Sequence, residues 1–227
     1  MSELSNTIKQ RLQEAGVNFN ANHNISAYVS EDERAAMQLN VEAKMQELLE
    51  ELVIDTANDH NTNETAKRVA KMFVRETFSG RYEPAPKVTA FPNASQYDQM
   101  YITGPISIRS VCAHHFQNIK GKCWIGIFPG EEVIGLSKFN RLVHWVAERP
   151  QIQEEMSMQI ADIIEETTKA AGVAVVMKAE HMCMTARGVK EHESDMTTSV
   201  MRGKFISEPT LKSEFLSLLQ GMKGFSE

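Results

Sequence analysis

MYITGPISIRSVCAHHFQNIKGKCWIGIFPG, residues 100–130, reads as two strands joined through a polar turn. Met100–Val111 and Lys122–Gly130 are rich in β-branched and aromatic residues and carry Gly and Pro at their ends, the composition of strands bounded by turns. KVTAF, residues 87–91, precedes them as a shorter strand. Beyond them, SKFNRLVHWVAER and IQEEMSMQIADIIEETTKAAG follow as two helical runs parted at Pro150, with Gly172 placed to close the second. VAVVMKAEHMCMTA and TTSVMRGKFI return to strand composition, and TLKSEFLSLLQ is a last helix. Two strands, two helices and two strands in this order predict an α+β domain, an antiparallel sheet with two helices on one face.

Working back toward the N-terminus, the pattern is helical. Ser30-Glu31-Asp32-Glu33 has the form of a capping box and opens a run to about Ile54 with apolar residues at helical spacing. Asn63 is placed to cap a second helix that runs to Gly80, and Pro84 and Pro86 mark the change of regime. The expected organisation is an N-terminal helical region over 1–82 and a second domain over 83–227.

Composition narrows the function. The chain has 227 residues, 42% of them hydrophobic, which is enough for a sizeable core. No stretch approaches the ~20 apolar residues of a membrane span, and the opening MSELSNTIKQRLQEAG lacks a basic-then-apolar signal pattern, so a cytoplasmic protein with no membrane partner is expected. A net charge of −6 argues against a general nucleic-acid binder, which needs a basic face. Three cysteines fit reduced thiols or metal thiolates better than a disulfide framework.

Cys112-Ala113-His114-His115 has C-x-x-H spacing, and His181-Met182-Cys183 lies in an expected strand, where alternation would send 181 and 183 to one face. Thiolates with imidazole make a natural zinc set. The same cysteines read equally as small buried hydrophobes, a reversible Cys112–Cys183 disulfide is a further reading, and Cys123, beside Trp124 and Ile125, reads as a core thiol. Gly135-Leu136-Ser137-Lys138-Phe139-Asn140-Arg141 is a second unusual stretch. Ser137 reads as an N-cap, yet Lys138 and Arg141 put cations into a first turn where the helix dipole favours acids. An anion bound there would reverse that cost, with Arg187 adding a third positive group; the alternative is that the cations are merely solvated.

CAHHF, IGLSKFNR, RPQIQEEM and EHMCMTARG, in this order and spacing, resemble GTP cyclohydrolase I, over residues from about Glu64 through Phe205. The resemblance implies the tunnelling fold and a homodecamer of two pentamers with active sites between subunits. It implies hydrolysis of GTP to 7,8-dihydroneopterin triphosphate with release of formate, and zinc held by Cys112, His115 and Cys183. His114 and His181 would move protons. Glu154, assisted by Gln153, would bind the guanine edge, and Ser137, Lys138, Arg141 and Arg187 would hold ribose and triphosphate. Arg68 would reach a neighbouring subunit's site. Two positions depart from the family pattern: Ala113 stands where a glutamate is usual, and Thr185 where a lysine often precedes A-R-G. The competing readings are a nucleotide-binding paralogue without turnover and another tunnelling-fold enzyme acting on a pterin or deazapurine.

Overall fold

The computed structural model describes residues 2–225, and these form two compact units that divide between Pro84 and Ala85. The N-terminal unit is helical: α1 (Glu3–Glu14), α2 (Glu31–Glu51), α3 (Thr65–Lys71) and α4 (Ser79–Tyr82). The capping box is formed as expected, with the Ser30 hydroxyl accepting from the Glu33 N–H and the Glu33 carboxylate accepting from the Ser30 N–H. Ile8, Leu12, Ile25 and Val29 make a small core of this unit. The second helix departs from expectation. Glu64, not Asn63, occupies its N-cap, and after Lys71 the chain widens into a π-helical stretch over Met72–Thr77. Gly80 does not stop it either, being buried inside α4, which ends at Tyr82 just before Glu83 and Pro84.

In the second unit, β1 (Ala90–Pro92) pairs with β4 (Glu132–Ile134) as a small ribbon. The main sheet has the order β5-β2-β3-β6-β7, from β2 (Tyr101–Cys112), β3 (Asn118–Phe128), β5 (Pro150–Gln151), β6 (Gly172–His181) and β7 (Met196–Gly203). Four of these strands, β2, β3, β6 and β7, pair antiparallel with their neighbours, while the two-residue β5 lies parallel to the end of β2. α5 (Leu136–Ala147) and α6 (Gln153–Thr168) cover one face, as expected, burying Phe139, Leu142, Val143, Met156, Ile160 and Ile164 against Cys123, Ile125 and Ile127. Full burial of each such side chain contributes roughly 1.5–3 kcal/mol.

Strand alternation sends the intervening residues of β3 to the other face, and this face is also covered. Trp124, Ala174 and Val176 pack there against α9 (Pro209–Gln220), which supplies Leu211, Phe215 and Leu219. Gly126 makes that approach feasible: a Cβ at this position would stand 2.6 Å from the Phe215 ring. α6 does not run on to a stop at Gly172. It ends at Lys169 in the left-handed conformation (φ 46°), and Gly172 begins β6. The strand expected through Ala186 ends at His181, where the chain turns into α7 (Met182–Thr185). The strand expected through Ile206 ends at Gly203 and turns into α8 (Lys204–Ser207).

Candidate active site

The last residues of β2 and β6 lie at the same end of the sheet, because β3 pairs with both and the register sets Val111 opposite Asn118 and Ile119 opposite His181. At the end of β2, Cys112 is buried, and its backbone N–H and C=O close the following turn on Gln117 and Phe116. From β6 the chain coils into α7. The argument from strand alternation therefore fails for His181 and Cys183, but the helical turn delivers Cys183 to the Cys112 thiol instead. Both thiols are free. Burial, then the hydrogen bond and proximity of Cys112, hold the Cys183 thiol above its ordinary pKa, opposed by its own backbone and by the charge of Arg187. Cys123 behaves as a core thiol: it is fully buried on the helix-covered face, and burial pushes it up to about 12.

The imidazoles of the turn are placed unequally. Both are exposed, but His114 Nδ1 lies 3.7 Å from Cys112 Sγ, while His115 has no such contact among the described residues. Among the described residues no three side chains of His, Cys, Asp or Glu converge as a ligand set. The donor chemistry nevertheless fits a soft divalent ion. Two adjacent free thiols, of which Cys183 is held in its neutral form by burial and by Cys112, are groups that a cation would favour as thiolates, with imidazole donors on the neighbouring turn.

His181 is half-buried, and its Nε2 lies 2.8 Å from Gln153 Oε1. Burial lowers its pKa, opposed by the charge of Glu154, which places that carboxylate close by. Gln153 and Glu154 open α6, so the acidic side chain sits where the helix dipole favours it. Glu154 is exposed, but Gln153 is fully buried and its amide is used inside the protein. The basic helix start is shifted: Gly135 and not Ser137 is the N-cap of α5, so Ser137 and Lys138 stand inside the first turn with no acidic residue, while Arg141, expected in that turn, falls in the second. Neither Lys138 nor Arg141 forms an ion pair among the described residues. Arg187 is exposed on the loop after α7. Arg68 lies in α3 of the other unit, exposed and paired with Glu64 at 2.8 Å.

The supporting residues were not foreseen. Ser157 Oγ donates to the Gln153 carbonyl at 2.9 Å and lies 2.6 Å from Thr198 Oγ1. Gln151, also buried, donates from its amide to the Val146 carbonyl. A glutamine at the start of a helix and a serine four residues on were visible signals, but their partner Thr198 stands 45 and 41 residues away from them in sequence.

The family profile of GTP cyclohydrolase I matches residues 41–220. The GTP cyclohydrolase 1 of Aliivibrio salmonicida (strain LFI1238) is 40% identical over 178 residues, covering 78% of this chain and 82% of that protein. That of Vibrio vulnificus (strain YJ016) is 36% identical over 217 residues, covering 95% and 97%. Among solved structures, the archaeosine synthase QueF-Like in its apo form aligns at a TM-score of 0.37 and 14% identity, over 46% of this chain and 92% of that one.

Proposed function

This chain belongs to the GTP cyclohydrolase I family, and from that premise we propose that it hydrolyses GTP to 7,8-dihydroneopterin triphosphate and formate. The observation that carries the reading to these residues is the meeting of two free thiols, Cys112 and Cys183, at the same sheet end as the His181–Gln153 pair. Cys112, Cys183 and His115 would hold zinc. Bound there, the ion would supply Lewis acidity and an activated water at neutral pH.

The protein's own groups divide the remaining work. Glu154, exposed beside His181, would accept hydrogen bonds from the guanine edge, while Gln153, its amide spent internally, would assist by seating its neighbours. Lys138, Arg141 and Arg187 would hold the triphosphate, and Ser137 would hold the ribose or a phosphate oxygen. His181 would give a proton to the imidazole-ring nitrogen next to C8 as water adds to that carbon, and His114 would serve as the second proton carrier. Ring opening leaves a formamide, a second water releases formate, and the freed amine closes the pterin ring after the ribose has opened and rearranged.

In assembly, we propose the tunnelling-fold homodecamer, with Arg68 reaching a neighbouring subunit's site. No described helix is long and apolar enough to cross a membrane, and the net charge of −6 suits a cytoplasmic enzyme without a nucleic-acid partner.

The test is to incubate purified, zinc-loaded protein with GTP and follow formate and the pterin chromophore together. Appearance of both in step is expected. GTP binding without either product would favour the binding-paralogue reading and turn attention to Ala113.

A further inference from the structure

Gln153 is the first residue of α6, and its side chain is fully buried between the helix and the ends of β6 and β7. Its amide nitrogen faces three acceptors: the Met196 carbonyl at 2.9 Å, the Met177 carbonyl at 3.2 Å and Thr198 Oγ1 at 3.2 Å. Exchanging the amide oxygen and nitrogen would set a carbonyl oxygen against two others that cannot donate, so the orientation is fixed by chemistry. Two hydroxyls reinforce it. Ser157 donates to the Gln153 carbonyl, so Thr198 must donate to Ser157 Oγ, which leaves Thr198 Oγ1 free to accept from the Gln153 amide.

The consequence falls on His181. The group at 2.8 Å from its Nε2 is Gln153 Oε1, which can only accept, so Nε2 must carry a hydrogen. The ring makes no other hydrogen bond among the described residues. We infer that Gln153 is a positioning residue that fixes His181 with its hydrogen on Nε2 and reserves Nδ1 for proton exchange with the substrate. Gln153 thus acts on the reaction through His181 and not as a ligand of the guanine. The tautomer follows from the hydrogen-bond network alone; its catalytic meaning rests on the cyclohydrolase reading.

The two halves can be tested apart. In full-length, zinc-loaded protein labelled with 15N-histidine, long-range 1H–15N correlations should show His181, identified by its loss in His181→Asn, bearing its hydrogen on Nε2. A hydrogen on Nδ1 with a bare Nε2 would overturn the inference whatever the variants do. Gln153→Met keeps the bulk and removes the acceptor. It should release His181 into a mixture of tautomers and lower kcat for formate release by roughly 10²-fold, the scale of a misplaced catalytic group, with KM for GTP within about twofold. A rise in KM at unchanged kcat would make Gln153 a substrate ligand and sink the positioning role. Thr198→Val, which loosens the lock while leaving the His181 contact, should shift the same signals less and lower kcat by only a few-fold. If the wild-type protein releases no formate while His181 still carries its hydrogen on Nε2, the cyclohydrolase reading fails and the assigned tautomer stands.

Discussion

The arginines of the N-terminal unit and the cations around the candidate site are held in opposite ways. Arg11 pairs with Glu33 at 2.7 Å, and Arg34 is buried with donors on the Val74 carbonyl and on Glu83. Arg75 binds Glu31 and Gln38, and Arg81 donates to the carbonyls of Phe19, Asn20, Ala21 and His23. Lys138 and Arg141, in the second unit, have no anionic partner among the described residues; Lys138 stands in the first turn of α5, where the helix dipole repels it, and Arg141 one turn further in. A cation that closes local bonds stabilises the fold. One kept unpaired at a local electrostatic cost is the kind of group that the proposed triphosphate would complete.

The sharpest way to break this contrast is to remove the unpaired set. Lys138→Met with Arg141→Met should lower kcat/KM for GTP by roughly 10²–10³-fold, if each charged hydrogen bond contributes ~1.5–3 kcal/mol and part of that is shared. Stability without nucleotide should stay level or rise by roughly 0.3–1 kcal/mol, chiefly through Lys138, because the first turn loses a like-signed charge. Urea unfolding of the apo protein measures that sign. A clear loss of stability would place these cations with the structural arginines.

Arg34→Met asks the converse. It strips the Val74 carbonyl of its donors and should cost ~1–3 kcal/mol in unfolding free energy. The folded fraction should keep its kcat/KM. A tenfold fall in kcat/KM at full folding would show that the N-terminal unit's pairing serves catalysis as well.

The arginine pairs also show what the sequence made legible. The capping box could be read because its partners are three residues apart, and the same Glu33 then accepts Arg11 from 22 residues away, which could not. The two thiols were read from their spacing to histidine, but the geometry that joins them was not, since a helical turn at Met182 replaced the expected strand. The α+β order followed from strand and helix composition. The covering of the second face by α9 depended on Gly126 meeting Phe215, a contact 89 residues apart that no local pattern encodes. Lys138 was visible because it violates a local rule; Arg141 was read with it only because Ser137 was taken as the N-cap, and with the N-cap at Gly135 it stands one turn further in. Gln153 was named through the family resemblance, but its contacts were hidden: a glutamine beside a glutamate in a helix's first turn looks ordinary until Thr198 and His181 close around it.

Glu33 gives the contrast a pH dependence. The hydrogen bond from Arg11, followed by the backbone N–H of Ser30, holds its carboxyl down to about 2 from an ordinary value of 4.5. The folded state therefore prefers the carboxylate. This contribution is fully present above pH 4.5 and is lost as pH falls toward 2. Glu33→Gln should unfold at a lower temperature at pH 7, and the two melting curves should converge as pH approaches 2. A gap that persists unchanged at low pH would assign the effect to packing instead of charge.

Arg68 is the test case, since it lies among the paired arginines but is proposed to serve a site. Its pair with Glu64 is an i,i+4 contact with both side chains exposed, 72% and 53%. Exposed pairs of this kind contribute little, because water screens them and both side chains lose freedom in making them. Glu64→Gln should therefore change stability by less than about 0.5 kcal/mol. If Arg68 is kept for phosphate, releasing it from a competing carboxylate should lower KM for GTP by roughly twofold, the worth of an exposed ion pair. A rise in KM would mean that Glu64 holds Arg68 in its working position. A stability loss above 1 kcal/mol with KM unchanged would return Arg68 to the structural set, with the other arginines of its unit and with paired cations of the second unit such as Arg202, which meets Asp162 at 3.1 Å.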